Sequence, residues 1–224
     1  MTYYYLTFGL LILSFYISSM VQSRFNKYSK YRAFSGMTGA QAAERILRAN
    51  GIYDVQIRQT RGSLTDNYNP MNKTLNLSET VYGRSSVSSI AVAAHECGHA
   101  IQHATAYGPL SIRKKLVPIA NVSSNFSYIL VFAGILLQMS DLVMFGAILF
   151  SAIVLFNLVT LPVEIDASKR ALTQVERLGI LTPDEMSGGK KVLTAAGMTY
   201  FVALLSAMVQ LLRLLSIANR GRRK

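Results

Sequence analysis

Three side chains within one five-residue segment could together bind a metal ion and activate water. His95 and His99 are four residues apart, so on an α-helix they share one face and both imidazoles can reach one ion. Glu96 lies about 100° around the helix from His95, where a carboxylate can reach a metal-activated water without entering the coordination sphere. The spacing therefore predicts zinc-dependent hydrolysis with Glu96 as the general base.

The same five-residue pattern also arises by chance, as two core or surface histidines beside a solvated glutamate. Two observations favour the metal. All three histidines of the chain lie on this one predicted helix, and two of them flank Glu96. The neighbouring residues are mostly apolar, at Ile90–Ala94 and at Ala100 and Ile101. A buried polar group there needs partners, and a metal would supply them.

His103 is the third histidine, and its spacing excludes it as a ligand of the same ion. It lies eight residues from His95, about 12 Å along a helix axis at ~1.5 Å per residue. Zinc–nitrogen bonds are near ~2.1 Å, so His95, His99 and His103 cannot all bind one zinc on a regular helix. We therefore expect His103 to lie on the substrate side of the site or to support a ligand.

A catalytic zinc normally has three protein ligands, and Glu164 is the strongest candidate for the third. It stands two residues after Pro162, at the end of an apolar segment. Asp166 faces another side of that helix and fits a group that orients a histidine N–H. Ser168, four residues after Glu164, shares its face and could serve in that role instead. The alternative for Glu164 is a plain charge at the membrane interface.

The composition indicates a membrane protein. Hydrophobic residues make up 51% of the 224 residues and charged residues only 15%, and the apolar residues form long uncharged runs. The predicted organisation is a transmembrane helix at 1–23, a catalytic region at 24–115, a transmembrane hairpin at 120–163 that turns at 140–141, a helix and loop with the third ligand at 164–191, and a fourth transmembrane helix with a basic tail at 192–224.

The distribution of charge predicts the orientation in the membrane. The net charge is +12, yet residues 1–23 carry no cation and four cations follow within 24–32. By the positive-inside rule, the N-terminus lies outside and the catalytic region lies on the cytosolic face of a multi-pass cell-membrane protein. A spanning segment at 192–212 would place the basic tail outside, against this rule; we favour spanning over a re-entrant segment. Lipid headgroups, and not nucleic acid, are the expected partners of these cations.

Local patterns predict the elements around the site. Thr38 and Gln41 form a capping box that opens a helix over 39–50, and strands are predicted at 55–58 and 73–78, with a turn at 67–70 between them. A further helix is predicted from the serines at 85–89 through His103 to about residue 106. The only cysteine, Cys97, excludes an internal disulfide and is expected to be a small buried residue.

Four runs of sequence resemble a known family: AAHECGHAIQHA at 93–104, DNYNP at 66–70, SVSSIAVAAHE at 86–96 and LPVEIDASKRAL at 161–172. They resemble the YugP-type neutral zinc metallopeptidases of bacterial membranes, which are similar in outline to the HtpX family of membrane peptidases. The resemblance covers most of the chain. It implies a gluzincin-like site in which His95, His99 and Glu164 bind one catalytic Zn²⁺ and Glu96 is the base. Such relatives typically carry an aspartate where this chain has Ser168.

The resemblance also implies that Thr74–Ser78 is an edge strand along which an extended substrate pairs its backbone. The alternation of polar and apolar residues in this segment permits such a strand. The alternative is a plain core strand. An oxyanion-stabilising group is also required, and Tyr68, Tyr82 or Arg170 could serve, although the spacing selects none of them. The residues of the expected substrate strand are Thr74, Leu75, Asn76, Leu77 and Ser78.

The sequence therefore predicts a mainly α, multi-span helical membrane protein with a small α+β zincin-like metallopeptidase domain. Its expected activity is zinc-dependent cleavage of peptide bonds in proteins or peptides, including membrane proteins. Two alternatives are a non-catalytic zinc-binding scaffold or quality-control adaptor, and an intramembrane protease of the site-2 type. The latter is disfavoured because the four serines at 85–89 with Arg84 on one side, and the cations at 113–115 on the other, bracket the motif too closely for an apolar span of ~20 residues.

Overall fold

The computed structural model describes residues 2–221, and the last three residues of the predicted basic tail, 222–224, lie outside them. The described chain is mainly helical, with one small sheet. In chain order its elements are α1 (Thr2–Ser29), α2 (Gly39–Ala49), β1 (Gln56–Thr60), β2 (Asn67–Asn69), β3 (Thr74–Ser78), α3 (Glu79–Tyr82), α4 (Val87–Ala104), α5 (Gly108–Leu136), α6 (Ser140–Arg177) and α7 (Pro183–Gly221).

Among the described helices, α1, α5, α6 and α7 are long and apolar enough to cross a membrane. This confirms the predicted fold class, a mainly α-helical membrane protein with four candidate spans. The predicted turn of the hairpin at 140–141 is wrong, because α5 ends at Leu136 and α6 already begins at Ser140. Gln138 adopts a left-handed φ of 56° between them. Nor does α6 end at Pro162, since the helix continues to Arg177.

The described chain divides into two compact units. The first comprises the described parts of 1–16, 108–162 and 199–224, and the second comprises 17–107 and 163–198. In the first unit, a Cβ at Gly146 of α6 would lie 2.7 Å from the Val131 side chain, so the glycine allows α5 and α6 to approach closely. The core of the second unit includes the fully buried side chains Ile46, Leu75, Leu77 and Ile90. The segment boundaries predicted from composition stay a prediction.

The sheet has the order β1-β3-β2, with β1 parallel and β2 antiparallel to β3. The expectation that Thr74–Ser78 is an edge strand is therefore wrong. Residues Thr74–Asn76 pair with β1 on one side and with β2 on the other. The segment at 67–70, predicted as a turn, instead supplies the short strand β2 that covers this edge. The backbone hydrogen-bonding groups of Thr74–Asn76 are already paired on both sides of the strand. These residues are therefore not available to bind a substrate backbone.

Two helices of the second unit show the caps expected from their sequences. Thr38 and Gln41 form the predicted capping box at the start of α2. The Ser86 hydroxyl accepts a hydrogen bond from the Ser89 N–H and begins α4, which is almost entirely buried. Cys97 of α4 is buried, as predicted, and its thiol donates a weak hydrogen bond to the Ala43 carbonyl of α2. These contacts anchor the helix that carries His95, Glu96 and His99.

Gly98 allows α4 and α6 to approach each other at the position where both carry candidate site residues. A Cβ at Gly98 would lie 3.0 Å from the carbonyl carbon of Ala167 and closer still to its oxygen. A contact this short with backbone cannot be relieved by rotation of a side chain, so the helices would have to separate. The glycine thus sets the distance between His95 and His99 on α4 and Glu164 on α6.

We expect Gly98→Ala to lower the free energy of unfolding by about 1–3 kcal/mol, because the added methyl overpacks a close helix contact. This loss should exceed the gain of about 1 kcal/mol that alanine brings to a helix interior. Thermal unfolding of the detergent-solubilised protein, followed by circular dichroism, measures the effect.

Gly197→Ala is the matched control, because Gly197 lies within α7 and a Cβ there would meet nothing within 4 Å. We expect that variant to be as stable as the wild type or slightly more stable. Equal behaviour of the two variants would contradict the packing role assigned to Gly98.

Candidate metal centre

His95, His99 and Glu164 converge in the second unit. Their ligand atoms all lie within 4.8 Å of one another, which makes them a group that could hold a metal ion. The Glu164 Oε2 lies 3.3 Å from the His95 Nε2 and 3.4 Å from the His99 Nε2. The two imidazole rings stand almost perpendicular, at 85°, with centroids 4.8 Å apart. The i, i+4 spacing on α4 thus presents both Nε2 atoms to the carboxylate of α6.

The chemistry of these three groups fits one zinc ion. The Glu164 side chain is only 2% exposed and those of His95 and His99 are 15% and 12% exposed, and a carboxylate removed from water needs a cation beside it. Two imidazole nitrogens and one carboxylate oxygen are an established donor set for catalytic zinc. Both outer ring nitrogens, the Nδ1 atoms, have protein partners. The two Nε2 atoms are therefore the ones that face the centre.

The predicted supporting residues differ in what they contact. The Ser168 hydroxyl lies 3.1 Å from the His95 Nδ1, so it contacts a candidate ligand directly. Asp166, expected to orient a histidine, instead accepts hydrogen bonds from the Gln102 Nε2 at 2.9 Å and from the Arg170 Nε at 2.6 Å. The aspartate therefore reaches His99 only through Gln102.

Gln102 is the residue that sequence reasoning missed. Its side chain is fully buried, and its Oε1 lies 3.0 Å from the His99 Nδ1. Its Nε2 also donates to the Val163 carbonyl at 2.8 Å, next to Glu164 in sequence. One signal was present in the sequence: Gln102 is an amide on a mostly apolar helix, three residues after His99, and a buried amide needs partners.

Glu96 is buried beside the three converging residues. Burial raises the pKa of its carboxyl, the histidine charges at 95 and 99 lower it, and the negative charges of Glu164 and Asp66 raise it further, so the net shift is upward. Within residues 2–221, no hydrogen bond reaches this carboxylate. A carboxylate without a protein partner is available to a water molecule.

Opposing effects act on His99. Burial lowers the pKa of its imidazole, but the hydrogen bond to Glu164 and the negative charge of Glu96 outweigh burial and leave that pKa raised. Without a metal, His99 therefore holds a proton at higher pH than an ordinary histidine does.

His103 is not part of the converging group. Its Nδ1 lies 2.8 Å from the hydroxyl oxygen of Tyr68 on β2. The other two candidates for oxyanion stabilisation also have partners, because Arg170 binds Asp166 and lies 5.5 Å above the Tyr107 ring and Tyr82 packs against the core of the second unit. The structure therefore brings Tyr68 and His103 together without assigning an oxyanion group.

Comparison with known proteins places these observations in a family. A family model described as "Putative neutral zinc metallopeptidase" matches residues 3–219. The chain is 46% identical to the "Putative membrane protease YugP" of Bacillus subtilis (strain 168) over 222 residues, which cover 99% of each chain. No solved structure gives a significant match. The resemblance seen in the motifs is confirmed, and the chain belongs to the family of neutral zinc metallopeptidases.

Proposed function

We propose that this protein is a membrane zinc endopeptidase that cleaves peptide bonds in protein or peptide substrates. Its single Zn²⁺ is held by His95, His99 and Glu164, and Glu96 is the general base. The observation that carries the proposal is the convergence of two Nε2 atoms and one carboxylate oxygen within 4.8 Å. A family model for zinc metallopeptidases and a relative named as a membrane protease support it.

The residues divide the chemistry between binding and proton transfer. Zinc, when bound, supplies Lewis acidity to the attacking water and to the scissile carbonyl. Glu96 takes the proton from that water and returns it to the leaving amine, as a general base and then a general acid. In the metal-free protein the pKa of the Glu96 carboxyl is raised, a shift toward the neutral pH range in which a general base is most effective. His95, His99 and Glu164 hold the metal and take no part in the proton transfer.

We place the site on the cytosolic face of the membrane. Residues 1–23 carry no cation, whereas the stretch after them is strongly basic. The non-catalytic zinc scaffold is the competing function, and the site alone does not separate the two, because a structural zinc could use the same three ligands. The buried carboxylate of Glu96, which accepts no hydrogen bond within residues 2–221, favours catalysis.

We expect Glu96→Gln to bind one zinc per chain and to lose at least about 100-fold in kcat, the usual minimum contribution of a general base. The amide keeps the size of the side chain but cannot accept the proton. Metal analysis and cleavage of casein or a fluorogenic peptide by the detergent-purified protein measure the two properties. Wild-type activity in this variant would refute the mechanism, and zinc-loaded wild type without activity would favour the scaffold.

We expect Glu164→Gln to weaken zinc binding by more than the ~10–100-fold typical of residues that only support a ligand. The neutral amide is a poor ligand and leaves two histidines as the only strong donors. Competition with a chelator gives the dissociation constant. Glu176→Gln, an exposed carboxylate on the same helix, is the matched control and should bind zinc like the wild type. Unchanged affinity in Glu164→Gln would remove this residue from the ligand set.

The affinity for zinc should fall as the pH is lowered from 8 to 6. The metal binds neutral imidazole, and the raised pKa of His99 in the metal-free protein keeps this ring protonated above the ordinary histidine value of ~6.5. Zinc must therefore displace a proton near neutral pH. Calorimetric titrations in two buffers of different ionisation enthalpy count the protons released. Equal affinities at both pH values, with no proton release, would contradict the assignment.

A further inference from the structure

Gln102 is an internal amide that contacts both helices of the candidate metal centre. On α4, its Oε1 lies 3.0 Å from the His99 Nδ1. On α6, its Nε2 donates to the Val163 carbonyl at 2.8 Å and to the Asp166 Oδ2 at 2.9 Å. The side chain is fully buried, so these three contacts account for its polar atoms without water.

The chemistry of the partners determines which way the amide faces. The Val163 carbonyl and the Asp166 carboxylate can only accept hydrogen bonds, so they require the amide nitrogen. The reversed amide would put its oxygen against two acceptors in a buried place, at the cost of two lost hydrogen bonds. The oxygen of Gln102 therefore faces His99.

The orientation of the amide in turn determines the tautomer of His99. Since the Oε1 of Gln102 is an acceptor, the Nδ1 of His99 must carry the hydrogen. When the ring is neutral, this leaves the lone pair of Nε2 directed at the centre, where zinc would bind; without a metal, Nε2 can take a second proton that faces the Glu164 carboxylate 3.4 Å away. His95 differs, because its Nδ1 meets the Ser168 hydroxyl, which can donate or accept and selects no tautomer.

We propose that Gln102 is a positioning residue of the metal centre: it locks His99 in the tautomer that leaves Nε2 open to zinc and holds the backbone beside Glu164 at the same time. The proposal rests on the zinc site proposed above. Arg170 holds the Asp166 carboxylate in place, because it donates to the same oxygen that receives the Gln102 N–H. The Arg170 guanidinium itself lies above the Tyr107 ring. The chain of contacts runs from Tyr107 through Asp166 to His99.

Gln102→Met tests the proposal by removing both the acceptor and the donor while keeping an unbranched side chain of similar length. We expect the affinity for zinc, measured by chelator competition, to fall by ~10–100-fold, the range found for groups that orient a metal ligand. Gln174→Met is the matched control. Gln174 is a partly buried glutamine of α6 in the same unit, and its Oε1 also accepts two hydrogen bonds, from Asn50 and Arg177. That variant should bind zinc like the wild type.

The tautomer of His99 gives a readout that a general loss of packing would not produce. The chain has only three histidines, so nitrogen NMR of selectively labelled histidine in the metal-free protein resolves each ring. His103→Gln removes one signal, which helps assign the others. We expect the Nδ1 of His99 to carry a hydrogen in the wild type and in Gln174→Met, whether or not Nε2 also holds a proton against Glu164, and to carry it only in part in Gln102→Met. This measurement needs no metal, so it tests Gln102 even if the wild type binds no zinc, an outcome that would sink the proposed function instead.

A second test, which exchanges the amide at position 102 and the carboxylate at position 166, remains available if Gln102→Met does not fold. Gln102→Glu alone places two carboxylates together and should bind zinc weakly. Adding Asp166→Asn lets the new amide at 166 donate to the new carboxylate at 102, which still accepts from His99, while the bonds to the Val163 carbonyl and from Arg170 to the Asp166 oxygen are lost. We expect the double variant to bind zinc more tightly than Gln102→Glu alone and to keep the hydrogen on the Nδ1 of His99. Wild-type affinity and an unchanged tautomer in Gln102→Met, or no recovery in the double variant, would overturn the proposal.

Discussion

A carboxylate removed from water beside two imidazoles is the interaction on which the rest of this structure depends. Glu164 is 2% exposed, and the free energy of such a charge is acceptable only if cationic or metallic partners face it. The partners come from a different helix, so α4 and α6 must be held at one distance. Gly98 permits that distance, and the Gln102 amide bridges it. The small sheet and α2 serve this arrangement by packing against α4.

The two helices contribute in complementary ways. Helix α4 presents His95, Glu96 and His99 within little more than one turn, which provides two ligands and a base on a rigid element. Helix α6 runs without interruption through Pro162, so Glu164 and Ser168 lie four residues apart on one face, with Asp166 between them on another. Each histidine then receives one contact from outside the centre. The contacts are unlike in kind, a hydroxyl for His95 and an amide for His99.

The residues that converge at the site could be predicted from the sequence. The elements and contacts that hold them in place could be predicted only in part. The i, i+4 histidines, the position of Glu164 after an apolar segment and the capping box at Thr38 follow from local patterns that tertiary structure left intact. The central position of β3 could not be foreseen, because Asn67–Asn69 has the composition of a turn and becomes a strand only by pairing with Thr74–Asn76. The turn between α5 and α6 was misplaced for a similar reason: the residues that close it are nearly as apolar as the helices. Gln102 escaped notice because its partners on α6 lie far away in sequence.

The burial of Cys97 has a consequence for how the metal is controlled. It is the only cysteine of the chain. Its side chain is inaccessible, and burial raises the pKa of the thiol well above its usual value, so little of the reactive thiolate forms. The candidate ligands are nitrogen and oxygen atoms, which oxidants that attack thiolates leave intact. The zinc content of this protein should therefore follow the supply of zinc and the acidity of its surroundings, and be indifferent to the thiol redox state of the compartment.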